Sequence, residues 1–121
     1  MNTFRAVAAF PHIEPANLEE FCSLAQQMMV EIQKQESILR YDMFFSENKT
    51  RCTILEEYAH PEAVFEHIKK NAELLEQLSG LGGKIEGGVF PMGKEGEALQ
   101  EIRENWDAEY HFHFLGKTQK F

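Results

Sequence analysis

The residues best suited to proton chemistry are His67, Glu56, Tyr58, Tyr41 and Asn71. An imidazole with an unperturbed pKa of about 6.5 exchanges protons near neutrality, which makes His67 a candidate base. It falls on the flank of the apolar stripe Val64–Ile68–Leu75, and Asn71 lies four residues on, on the same side of the helix. Glu56 shares its strand parity with Ile54 and Tyr58, so its carboxylate points toward an apolar layer. A carboxylate so placed must be paired or have a raised pKa, which makes it either structural glue or a base. Tyr41 and Tyr58 sit on neighbouring strands and can donate phenolic protons into one cavity. Packing alone also accounts for them, as core tyrosines with hydroxyls at the edge and a partly buried histidine making one hydrogen bond. The candidate catalytic residues are therefore His67, Tyr58 and Glu56. The candidate substrate contacts are Tyr41, Asn71, Ile54 and Ile68, in a pocket between sheet and helices.

Other reactive side chains point elsewhere. His111 and His113 lie two apart, on one face of a strand, but no third ligand is signalled nearby, so no metal site is expected. Cys22 and Cys52 each sit inside an apolar pattern without a partner at metal-ligand spacing, and read as buried free thiols in a reducing cytoplasm. Arg40 and Asp42 have the opposite parity from Tyr41 and suit a cross-strand or subunit-interface ion pair. Gly80-Leu81-Gly82-Gly83 follows a helix rather than a strand, the reverse of a dinucleotide site, and no nucleophile elbow is present.

The elements that must position these groups follow from periodicity. Phe4 to Phe10 is short and apolar, is closed by Pro11, and reads as a strand. Pro15 and Asn17, with Glu20 three residues beyond, resemble a helix start with a capping box. Leu18, Phe21, Cys22, Ala25, Met28, Met29 and Ile32 then recur at helical spacing. Ile38 to Ser46 and Arg51 to Ala59 flank a polar turn and predict a hairpin. A second helix opens at His60-Pro61-Glu62 and ends at Gly80, Gly82 and Gly83; Ile85 to Met92 is a fourth strand weakened by its glycines. A short helix carrying Leu99, Ile102 and Trp106 follows, and Tyr110 to Leu115 alternates as a strand does.

The order β-α-β-β-α-β predicts a ferredoxin-like α+β fold, a four-stranded antiparallel sheet with both helices on one face. The hairpin strands are apolar on both sides: Leu39, Tyr41, Met43 and Phe45 on one, Ile38 and Phe44 on the other. The uncovered face therefore calls for a homodimer, or for the tail to fold back over it.

With 121 residues the chain is the size of one domain. Twelve Lys and Arg against 20 Asp and Glu, a net charge of −8, argue against nucleic acid and against anionic membranes as partners. No apolar run approaches the roughly 20 residues that span a bilayer. Arg5, Pro11 and Glu14 interrupt the N-terminal stretch too early for a signal peptide.

Glu36-Ser37-Ile38-Leu39-Arg40-Tyr41-Asp42, Ile54-Leu55-Glu56-Glu57-Tyr58-Ala59 and Glu62-Ala63-Val64-Phe65-Glu66-His67 are similar, in order, to blocks of the antibiotic biosynthesis monooxygenase (ABM) family. The resemblance covers residues 4 to 92. It departs at Ser37, where the family usually has glycine, and in the helix and aromatic tail of residues 93–121, which only some relatives share. The resemblance implies a dimeric α+β barrel and oxidation of a phenol or quinol by O2 without metal or flavin. Such a cofactor-independent monooxygenase needs a base for the phenol and polar groups for its anion. A haem-degrading relative would instead arrange a histidine ligand, an asparagine and a tryptophan around haem; His67, Asn71 and Trp106 are present, with Trp106 outside the matching region. The contrasting expectation is a non-catalytic dimer module that binds a small apolar ligand or serves structure alone.

Overall fold

A computed structural model describes residues 2–117. Four strands form an antiparallel sheet: β1 (Phe4–Phe10), β2 (Ile38–Phe45), β3 (Cys52–Tyr58) and β4 (Glu86–Pro91). A short β5 (Glu109–Tyr110) adds to its edge in parallel with β4, giving the order β2-β3-β1-β4-β5. The helices are α1 (Leu18–Lys34), α2 (Glu62–Lys70), α3 (Ala72–Gly82) and α4 (Glu97–Asn105). The fold is α+β and ferredoxin-like, as the element order predicts.

Parity along the strands decides what is buried. Phe4, Ala6 and Phe10 of β1 and Cys52, Ile54, Glu56 and Tyr58 of β3 face the helices and are buried. Two apolar clusters form there. One joins Phe10, Cys52 and Ile54 to Phe21, Met28 and Ile32 of α1 and Leu78 of α3. The other joins Phe4, Ala6, Tyr58 and Val89 to Ala63 and Val64 of α2 and Leu99 and Ile102 of α4. His67 and Asn71, both buried, join the two in space, beside Tyr41 of the first cluster and Tyr58 of the second.

The structure corrects the sequence reading at several points. A bulge in β2 between Ile38 and Arg40 places Ile38 opposite Tyr58 and against both clusters, while Leu39 is 53% exposed. One extra residue in a strand switches the faces of everything before it, so Ile38 and Leu39 exchange the sides expected for them. The predicted second helix is two helices, broken at Asn71, whose φ of −113° and ψ of 17° leave the helical region. Gly82 lies inside α3, and Gly83 with φ of 89° ends it. The capping box does not form, because Pro15–Asn17 already turns as a 3₁₀ helix and the Asn17 side chain makes no capping bond. The tail is strand only at Glu109 and Tyr110; His111 still donates its N–H to the Val89 carbonyl at 3.0 Å, but His111 to Leu115 is not strand.

The sheet face away from the helices has no cover from a helix of the described chain. Leu55 and Phe44 are 40% and 53% exposed there, beside Phe90. The tail touches one edge of this face, with the His111 ring stacked on Phe90 at 4.3 Å.

Candidate functional site

The side chains singled out for proton chemistry converge under the helices. Tyr41 and Glu56 are directly opposed across β2 and β3, and Ala6 of β1 opposes Glu56 from the other side. The register therefore places a carboxyl at the middle of the sheet, on its covered face, as its parity predicts. The Tyr58 hydroxyl, two residues along β3, donates a short hydrogen bond to Glu56 Oε1. From above, α2 lowers His67 onto this layer, with its Nε2 3.2 Å from the Tyr41 hydroxyl and the two ring centroids 5.0 Å apart. Asn71, at the break between α2 and α3, brings its amide nitrogen within 3.1 Å of His67 Nδ1 and 3.0 Å of the His67 carbonyl oxygen.

Gln35 steadies this arrangement from outside. Its buried amide donates to the Ala63 carbonyl at 3.0 Å and to Ser37 Oγ at 3.0 Å, tying the start of β2 to the first turn of α2. Ser37, the residue that departs from the family's usual glycine, is thus a hydrogen-bond partner. Gln35 carries no signal in the sequence beyond its place after the helix.

Beside these groups lies a cavity of about 250 Å3. Tyr41, Ile54, Glu56, His67 and Ile68 line it, together with Val64 and Leu75. Tyr58 and Asn71 do not reach it; they stand behind Glu56 and His67 respectively. The far wall consists of Gly87, Gly88 and Val89 of β4 and the segment Trp106–Ala108 that leaves α4. Gly87 has to be glycine here, since a Cβ would meet the Val7 carbonyl oxygen at 1.9 Å. Trp106 packs edge-on against Phe65, 5.5 Å between centroids, so the residue read from sequence as a helix anchor also closes the cavity. Asp107, which lines it, forms an exposed ion pair with Lys84 at 3.1 Å.

Burial sets the proton affinities. The Glu56 carboxyl rises from 4.5 to about 7, because desolvation of the charged form outweighs the opposing hydrogen bond from Tyr58. His67 falls from 6.5 to about 4 through burial, so the ring is neutral at pH 7. Both phenols are raised, Tyr41 by burial and then by the Glu56 charge, Tyr58 by burial and then by the same charge, and both stay protonated. The site thus combines a carboxyl that gains and loses a proton near neutrality with two phenols fixed as hydroxyls.

The remaining candidates lie apart from it. A larger open groove of about 650 Å3 runs along the other sheet face beside the tail, and the arginines that line it are ion-paired. Arg5 meets Glu57 at 3.0 Å, and Arg40 meets Asp42 at 3.1 Å along one strand rather than across two. His111 is paired with Glu109 at 2.6 Å, and no group of three or more metal-ligating side chains occurs among the described residues. The Cys52 thiol is pushed up to about 11 by burial, then by Cys22, which leaves it a packing group; both cysteines are free. No helix among the described residues is long and apolar enough to cross a membrane.

No protein-family model matches the sequence, and no curated protein sequence matches it. Solved structures do match. MupZ from Pseudomonas fluorescens superimposes with a TM-score of 0.83 at 19% identity, over 98% of this chain and 96% of MupZ. A conserved protein from Methanosarcina mazei Go1 matches with a TM-score of 0.65 at 24% identity, over 78% of this chain and 95% of that one. An antibiotic biosynthesis monooxygenase matches with a TM-score of 0.63 at 17% identity, over 77% of this chain and 99% of that one. The chain has the fold of the ABM proteins, followed after β4 by α4 and the segment Trp106–Ala108, which walls its cavity.

Glu56→Gln removes the titrating carboxyl while keeping its shape. Folded Glu56 holds its proton more tightly than the unfolded chain does. The stability it contributes is therefore fully present below about pH 4.5 and is lost as pH rises through about 7. The opposite titration of His67 is common to both proteins and cancels. Urea denaturation from pH 4.5 to 8 should show the wild type losing on the order of 3 kcal/mol relative to Glu56→Gln as pH rises. A difference that does not change with pH would mean that the buried carboxyl is ionised throughout.

Proposed function

We propose that this protein is an enzyme whose chemistry begins with proton transfer between Glu56 and a small, mostly apolar molecule, and we assign it cofactor-independent oxygenation of a phenol or quinol. The observation that carries the reading is a carboxyl with a pKa of about 7, lining an apolar-walled cavity beside a tyrosine hydroxyl. A base poised near the working pH is suited to general acid–base catalysis. His67 gives up the role of base that its residue type suggests, because burial leaves it neutral with little affinity for a proton.

Glu56 would take the proton of a phenolic O–H, leaving the oxygen anion beside Tyr41. The anion gives one electron to O2, and the resulting radical pair closes a C–O bond. Loss of water then yields the quinone: a hydroquinone and O2 become a hydroxyquinone and H2O. The electrons come from the substrate itself. The cavity, about 250 Å3, suits a molecule of one or two rings, given that roughly 150 Å3 accommodates benzene.

Acid–base catalysis that does not consume O2 is a second reading, favoured by the same carboxyl and hydroxyl, which can move a proton without an oxidant. Oxygen uptake with one- and two-ring hydroquinones separates the two. The oxygenase reading expects uptake above a heat-killed control, reduced at least about 100-fold in Glu56→Gln. Absence of uptake across the panel, or uptake unchanged in Glu56→Gln, contradicts it.

We also propose that a second copy of the chain covers the open sheet face, on the strength of the exposed Phe44, Leu55 and Phe90. Light scattering should give twice the monomer mass of 14.0 kDa, and Phe44→Lys with Leu55→Lys should halve it. A monomeric wild type, or a double variant that still pairs, overturns this arrangement.

A further inference from the structure

Asn71 touches neither the cavity nor Glu56, yet its contacts determine which way the polar layer is wired. Its amide nitrogen lies 3.0 Å from the His67 carbonyl oxygen, an atom that can only accept. That contact orients the amide, because the reverse orientation would bring two oxygens together. It would also place two N–H donors where the buried Oδ1 now sits without a partner among the described residues. With the amide so oriented, its second hydrogen faces His67 Nδ1 at 3.1 Å, and Nδ1 must be a lone pair. The ring is neutral, so its single proton is on Nε2, and Nε2 donates to the Tyr41 oxygen 3.2 Å away. The Tyr41 hydrogen cannot then point at His67. Tyr41 lines the cavity, and no other hydrogen bond of its hydroxyl occurs among the described residues.

We infer that Asn71 is a positioning residue: by holding His67 as the Nε2–H tautomer, it makes Tyr41 a hydrogen-bond donor into the cavity. The ligand class that follows is a molecule whose acceptor oxygen, a phenolate or an enolate, rests on Tyr41 while its proton is shared with Glu56. This deepens the acid–base reading of the cavity and rests on it. The same wiring removes His67 as a base, since one nitrogen is protonated and the lone pair of the other is engaged by Asn71.

Nitrogen NMR on histidine-labelled protein, with His67→Gln for assignment, reads the tautomer directly and needs no substrate. The expected wild-type spectrum at pH 7 has Nε2 protonated and Nδ1 as an unprotonated acceptor. Asn71→Asp replaces the donor with an acceptor and should reverse the tautomer, turning Nε2 into the acceptor that takes the Tyr41 hydrogen. If that variant does not fold, Asn71→Ala should show both tautomers. A wild type with Nδ1 protonated, or variants that leave the tautomer unchanged, overturns the inference.

The consequence for ligands is read with 4-nitrophenolate, whose absorbance reports its hydrogen bonding. Binding should weaken roughly 10- to 100-fold in Asn71→Asp and in Tyr41→Phe, the worth of one hydrogen bond to a charged oxygen. The double variant should lose no more than Tyr41→Phe alone, because Asn71 acts through Tyr41. Additive losses would contradict that route. Oxygen consumption tests the separate oxygenase reading: an Nε2–H tautomer in a protein that consumes no O2 supports the positioning role and counts only against oxygenation.

Discussion

Glu56 carries its carboxyl into the layer between sheet and helices, where the Tyr58 hydroxyl donates to it and burial raises its proton affinity. An ionised carboxylate there lacks the solvation of water, and a single phenol does not replace it. The chain therefore holds this group near the midpoint of its titration instead of permanently charged. The neighbouring residues fit that condition. His67 is neutral, both tyrosines remain protonated, and the rest of the wall is mostly apolar, its other carboxylates, Glu86 and Asp107, being ion-paired with Arg51 and Lys84. No fixed positive charge among the described residues lines the cavity to hold Glu56 as an anion. A bound molecule that presents its own proton would meet a group able to take it.

Much of this is legible in the sequence because strand parity is a rigid constraint. Ile54, Glu56 and Tyr58 alternate with Leu55 and Glu57, so a carboxyl must accompany the apolar residues inward. The spacing of His67 and Asn71 likewise puts them within reach of each other on a helix. What the pattern hides are single-residue irregularities. The bulge at Leu39 leaves no mark in composition, yet it exchanges the faces of Ile38 and Leu39. The break at Asn71 is concealed because the apolar stripe runs on from Ile68 to Leu75. It is nevertheless the break that turns the Asn71 amide back onto the ring and carbonyl of His67.

The C-terminal segment shows a different limit. Alternation from Tyr110 to Leu115 suggests a strand, but the ladder on β4 holds only Glu109 and Tyr110 and ends with the His111 N–H on the Val89 carbonyl. Trp106 reads as an anchor for α4 and is one, through Phe65, but its cavity wall depends on where α4 crosses the sheet. Spacing along a chain reports the face a residue shares, not the distant element that will stand opposite. The groups that shape the ligand space, Gly87 and Trp106 among them, are for this reason less legible than the groups that do its chemistry.

Carbon NMR of the glutamate side-chain carboxyls, with Glu56→Gln to assign the resonance, measures the proton affinity of the buried group directly. The account predicts a titration midpoint for Glu56 near 7. A midpoint at the ordinary carboxylate value of about 4.5 would contradict it and leave Glu56 a permanently charged structural group.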